Sequence, residues 1–235
     1  MPTRPSQRAA AVVRVLLVDD HSIVRQGLAS LLLDAEGIEV VGEASDGDDA
    51  VQATRLLRPD VILMDLVMPG LDGVAATAEI RARHPSARIL VLSGSSVRER
   101  ILAAVRAGAA GYISKTAPKQ ELVDAIRRVH RGQRSMPAAL TASLLERYPP
   151  AQLQVEPLTR REREILVLVA KGLSNRDVAD HAGISEATTR THVGRIFGKL
   201  GVNNRVEATL CALRDGLTTL DECLGLERSE LDRDA

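Results

Sequence analysis

Aromatic residues are nearly missing from this sequence: 235 residues contain one Phe, two Tyr and no Trp. Surfaces that hold single-stranded nucleic acid stack bases on aromatic rings, so that class of function is disfavoured. Any core must be aliphatic. Cysteine is almost as scarce, and Cys211 and Cys223 stand in no CxxC or CxxH spacing, as expected of reduced thiols in a cytoplasmic protein. No stretch approaches 18 consecutive apolar residues, so no membrane partner or spanning helix is predicted. Residues 1–12 are basic and rich in small side chains, without the apolar run of a secretory signal, and read as a disordered leader.

Net charge is also missing, since 31 Lys and Arg balance 31 Asp and Glu. The balance is local, however. Residues 151–214 hold ten basic against seven acidic side chains, whereas 216–235 hold two against six. A nucleic-acid footprint belongs in the first of these segments.

What is abundant is aliphatic pattern: hydrophobic residues make up 45% of the chain, enough for real cores. Short runs rich in Val, Leu and Ile occur at Val12–Val18, Glu39–Ala44, Val61–Asp65, Arg88–Ser93 and Gly111–Ser114. Such runs suit strands buried on both faces. Amphipathic stretches of helical spacing separate them, so residues 13–131 are predicted to form a doubly wound, five-stranded parallel α/β domain. Residues 132–157 read as a linker with one short helix, Ala138–Arg147. From 158 to 215 the pattern is wholly helical, with capping signals Thr159-x-x-Glu162 and Ser174-x-x-Asp177 and a third cap at Ser185. Residues 216–235 read as an acidic tail, in which Leu217, Leu220, Leu224 and Leu226 allow a short docked helix.

Polar residues of the first domain gather at strand ends. Asp19 and Asp20 end the first strand, Asp65 the third and Ser93 the fourth, and Lys115 follows the fifth. In an open parallel sheet, sites form outside the carboxyl ends of the strands. Three converging carboxylates repel unless a cation or a lysine intervenes, and hard oxygen ligands with room for water suit Mg²⁺.

Four motifs in order carry a family resemblance: Val18-Asp-Asp-His21, Met64-Asp-Leu-Val-Met-Pro-Gly-Leu-Asp-Gly73, Val91-Leu-Ser93 and Gly111-Tyr-Ile-Ser-Lys115. They resemble the receiver domains of response regulators, for which the sheet order is 2-1-3-4-5. The resemblance implies that Asp65 is a phosphoacceptor that attacks a phosphohistidine of a sensor histidine kinase. It implies that Asp20, Asp65 and the Val67 carbonyl hold Mg²⁺, with Asp19 acting through water. Lys115 then neutralises phosphoryl oxygens, Ser93 bonds the phosphoryl group, and Tyr112 follows the movement. Val67, two residues after the acceptor, and Ser95, two after Ser93, match positions flanking the path of the hydrolytic water. Valine cannot orient water, which predicts a long-lived phosphorylated state.

The segments Leu158–Leu166, Gly172-Leu-Ser-Asn175, Ile184-Ser185, Thr191-His-Val193, Lys199–Val202 and Asn204–Ala208 resemble the LuxR-type helix-turn-helix. Together the two resemblances point to NarL/FixJ-type regulators of transcription that bind double-stranded DNA. In the predicted helix 185–200, Val193, Ile196, Phe197 and Leu200 form a buried stripe. Arg190 and Thr191 then match base-reading positions, while Ser174, Asn175, Arg195 and Lys199 match phosphate contacts. Gly194 stands where family members often carry a polar or basic side chain, which predicts thinner DNA contact per monomer. Val206, Leu210 and Leu213 match the family's homodimer contact. An enzyme of the haloacid-dehalogenase type needs a second acid two residues after the nucleophile; Val67 stands there, so no enzymatic role is predicted. A phosphorylation-independent binding module is disfavoured by the complete acidic set. Phosphorylation either releases the helical domain or joins two receivers, and the sequence does not choose.

Overall fold

The computed structural model of the chain describes residues 12–94, 98–147 and 157–224. The expected leader up to residue 11, Ser95 and the chain beyond Leu224 lie outside the described residues.

The first domain alternates β1 (Val13–Val18), α1 (Ser22–Leu33), β2 (Ile38–Ala44), α2 (Gly47–Leu57), β3 (Val61–Asp65), α3 (Gly73–Arg83), β4 (Arg88–Ser93), α4 (Arg98–Ala107), β5 (Gly111–Ser114) and α5 (Lys119–His130). The sheet is parallel, in the order β2-β1-β3-β4-β5. Alternate strand residues point to opposite faces. Val15, Leu17, Leu63, Leu90 and Leu92 pack under α1 and α5, and Leu16, Val18, Ile62, Met64 and Ile89 pack under α2 and α3. Both faces of β1, β3 and β4 are covered, which is why those strands read as apolar runs, whereas the edge strand β2 leaves Glu39 and Glu43 exposed.

The chain then adds a parallel bridge between Gly111 and Ser135 and forms α6 (Ala138–Arg147). The helical domain consists of α7 (Arg160–Ala170), α8 (Asn175–Ala182), α9 (Glu186–Leu200), α10 (Arg205–Arg214) and α11 (Leu220–Leu224). Its core joins Ile165, Leu166, Val169, Val178, Val193, Ile196 and Leu200. Both predicted capping boxes form, and the Ser185 side chain accepts from Thr188 N. The segment read as a tail from residue 216 begins as part of this domain, because α11 places Cys223 in the same core. No helix among the described residues is long and apolar enough to cross a membrane.

Candidate functional site

The carboxyl edge of the sheet gathers the acidic set. Asp19 and Asp65 are buried, and Asp20 is partly exposed. Lys115 Nζ reaches across from the end of β5 to lie 2.5 Å from Asp19 Oδ2 and 2.9 Å from Asp65 Oδ2. Burial works against its ammonium, yet bonds to the two aspartates outweigh that and lift its pKa above the usual lysine value. Asp65 Oδ1 accepts from Leu66 N at 2.8 Å, leaving Oδ2 to Lys115. Asp19 Oδ1 accepts from His21 N, and Arg25 Nη1 donates to the Asp19 carbonyl.

A close backbone approach shapes this pocket. A Cβ on Gly73 would lie 1.9 Å from the Asp65 carbonyl oxygen, so only glycine lets α3 start directly over Asp65. Beside it, Val67 is half exposed, and Arg100 on α4 donates to the Leu66 carbonyl at 3.2 Å.

The donor set fits a hard cation. Asp19, Asp20 and His21 bring ligand atoms within 4.8 Å of one another. Ion-pair contacts apart, Asp19 Oδ2 and Asp20 Oδ1 are buried without a hydrogen-bond donor among the described residues. His21, read from sequence as an ordinary surface residue, is exposed but holds Nδ1 2.7 Å from Asp20 Oδ1. Its position straight after the aspartate pair was the available signal. Ser93 is buried at the end of β4, where the Lys115 N–H donates to its carbonyl.

On the helical domain, Arg190, Thr191, Gly194 and Arg195 are exposed together on α9. Arg190 is held by Glu186 one turn earlier. The remaining expected contacts are engaged within the chain. Lys199 Nζ lies 2.9 Å from Glu162 Oε2, the buried Ser174 caps α8, and Asn175 Oδ1 accepts from Arg205 Nη1. Val206 and Leu210, the expected dimer contacts, are fully buried, and Leu213 is half-buried in the helical core.

Comparison with known proteins gives this geometry a family. Residues 15–127 match the response regulator receiver domain, and residues 156–212 match the bacterial regulatory proteins of the luxR family. The transcriptional regulatory protein LiaR of Bacillus subtilis (strain 168) is 40% identical over 209 residues, covering 88% of this chain and 99% of LiaR. The chain is a response regulator with a LuxR-type DNA-binding domain. Solved structures also resemble this response regulator. The crystal structure of response regulator ChrA, from a heme-sensing two-component system, is 40% identical with a TM-score of 0.50, covering 88% of this chain and 100% of its own. A structure of two RcsB dimers bound to two parallel DNAs is 26% identical with a TM-score of 0.52, covering 86% and 98%.

Sequence reasoning missed the seam between the regulator's two domains. Val206 and Leu210 of α10 share one apolar cluster with Ile101, Leu102 and Val105 of α4 and Leu144 of α6. Asn204 Nδ2 donates to the Val105 carbonyl, and Arg81 Nη2 donates to the Asn203 carbonyl at 3.3 Å. Tyr112 packs on the same cluster beside Met136, Leu140 and Leu145, and desolvation raises its phenol pKa. No local motif signals these contacts, since the bonded residues lie 99 and 122 positions apart.

Proposed function

We propose that this regulator is a cytoplasmic two-component switch in which a sensor histidine kinase phosphorylates Asp65, releasing α10 for homodimerisation on double-stranded DNA. The carrying observation is the burial of Val206 and Leu210 against receiver helix α4 in a single chain. A helix covered by its own receiver is unavailable to a second copy. Release is therefore favoured over simple joining of two receivers. The exposed face of α9 supports the same reading, because the receiver covers the dimer helix and leaves the reading face exposed.

Asp65 supplies the nucleophilic carboxylate, and Lys115, already on Oδ2, would meet the incoming charge as a point cation. Asp20, Asp65 and the Val67 carbonyl would hold Mg²⁺, with Asp19 and His21 beside them. When bound, that ion neutralises carboxylates and phosphoryl oxygens that otherwise repel. Ser93 would donate its hydroxyl to the new group, and Tyr112, beside Val91 on the neighbouring strand β5, packs on the seam cluster. Arg190, Thr191 and Arg195 would face the major groove and its phosphates, and RcsB offers a relative seen as dimers on DNA. On this reading Ser174 positions α8 and Asn175 holds Arg205, so their phosphate contacts would run through backbone N–H groups at the start of α8. Lys199 would exchange Glu162 for phosphate only in part.

The test is selection of DNA from random sequences, with and without a phosphoryl donor, for the native chain and Asp65→Ala. Enrichment should rise with the donor for the native protein alone. Equal enrichment in all four arms would remove the switch.

A further inference from the structure

A cluster of cations lies apart from both the acidic pocket and the reading helix. Arg128 of α5, Gln133 and Arg134 of the following segment, Lys171 and Gly172 after α7, and Cys223 of α11 line a pocket of about 220 Å³. It opens at the seam, with one wall from the receiver side and the other from the DNA-binding domain. Three of its lining residues are cations and none is acidic.

Arg134 is the informative member. It is only 8% exposed, and its Nη2 donates to the Cys223 carbonyl at 2.7 Å. Its Nε is buried without a hydrogen-bond partner among the described residues. Burial lowers its pKa, so the charge is held at a cost. Behind it lies Arg205, pushed down to about 10 by burial first and then by the charge of Arg134. Asp177 opposes that effect on Arg205, but its carboxylate accepts from Ser174 N and Oγ. The nearby Glu222 is turned to Thr218 and Thr219. Two desolvated guanidiniums therefore repel each other, and no carboxylate among the described residues pairs with Arg134. A buried cation in this state calls for an anion. Planar donors beside two further cations suit phosphate oxygens.

We propose that this pocket binds a small phosphate-bearing anion, either pyrophosphate or the diphosphate end of a nucleotide, and that the anion clamps the two domains together. The binding stands without the phosphorylation switch; the clamp deepens the closed state proposed above. The ligand bridges Arg128 and Arg134 on one side and Lys171 on the other, so its loss loosens the seam and its presence opposes release of α10.

Calorimetric titration of the unphosphorylated full chain tests this, with EDTA present to keep metal from the acidic pocket and with pyrophosphate, ADP and sulfate as probes. Pyrophosphate or ADP should bind with Kd below about 1 mM, and the Arg128→Ala/Lys171→Ala double variant, altered only at exposed side chains, should weaken it about tenfold or more. Arg134→Gln should weaken it too. Asp65→Ala should bind as the native chain does, which separates this site from the phosphoacceptor. Tighter binding of ADP assigns a nucleotide, and pyrophosphate binding alone assigns the free anion. Sulfate binding as tightly as pyrophosphate, equal binding in the double variant, or no saturable binding each overturns the proposal. For the clamp, saturating ligand should lower the DNA affinity of the phosphorylated protein; an unchanged affinity overturns the clamp and leaves the site.

Discussion

Val67 stands half exposed two residues after Asp65, the proposed acceptor, with an isopropyl surface where a water molecule would need a hydrogen-bond partner to attack an acyl phosphate. An asparagine there supplies both a donor and an acceptor. Val67→Asn should speed loss of the phosphoryl group on the order of tenfold, equivalent to ~1.4 kcal/mol in the barrier. Single-turnover phosphate release checks this, and no difference would detach the lifetime from residue 67. Gly194 makes a parallel case on α9. A Cβ there meets nothing within 4 Å, so the missing side chain is an absence of contact and not a steric need. Glycine inside a helix costs about 1 kcal/mol against alanine. Gly194→Lys should therefore stiffen α9, tighten operator binding and steepen its salt dependence by about one counterion. Fluorescence anisotropy at two salt concentrations reads both effects, and an unchanged affinity would place residue 194 away from DNA.

Helices α7 and α9 are stitched by one carboxylate. Glu162 closes the capping box with Thr159 and meets Lys199 across the domain core. The bond from Lys199, followed by the Thr159 N–H, holds its carboxyl below the ordinary glutamate range. A folded-state pKa below the unfolded value of about 4.3 stabilises fully above that pH and fades as pH falls through the folded value. Glu162→Gln should cost about 1 kcal/mol at neutral pH and flatten the loss of stability in acid. Thermal melts of native and variant proteins from pH 7 to 3 test this; parallel curves would reject it. At this scale much was legible in sequence. The strands fall within a residue of the apolar runs, and Thr159-x-x-Glu162 and Ser174-x-x-Asp177 spell their own caps, because period and capping are local properties. The Glu162–Lys199 pair spans 37 positions and leaves no local pattern. Ser174 and Asn175 show the converse: one motif position served both cap and expected phosphate contact, and only packing shows their engagement within the chain.

At the scale of the whole molecule, the two domains are joined more tightly than a linker of mixed composition suggests. The acidic site was readable because its residues punctuate strand ends; the seam was not, because the apolar side chains of α4, α6 and α10 look like ordinary core-facing stripes. Burying Val206 and Leu210 is worth roughly 1.5–3 kcal/mol each, as upper values. That is comparable with the ~5.5 kcal/mol needed to carry a two-state balance from 1:99 to 99:1. A seam of this size can hold the regulator closed and still yield to one phosphoryl group. Leu144 belongs to the linker helix, is fully buried in the seam cluster and lies outside both domain cores. Leu144→Ala removes about 2–5 kcal/mol of packing, which falls mainly on the closed state. The unphosphorylated variant should bind its selected operator about tenfold or more tightly than the native protein, with little change once phosphorylated. Anisotropy titrations with and without a phosphoryl donor measure this ratio, with separate melts to check that each domain stays folded. If the ratio matches that of the native chain, the seam does not restrain DNA binding, and receiver pairing has to supply the switch.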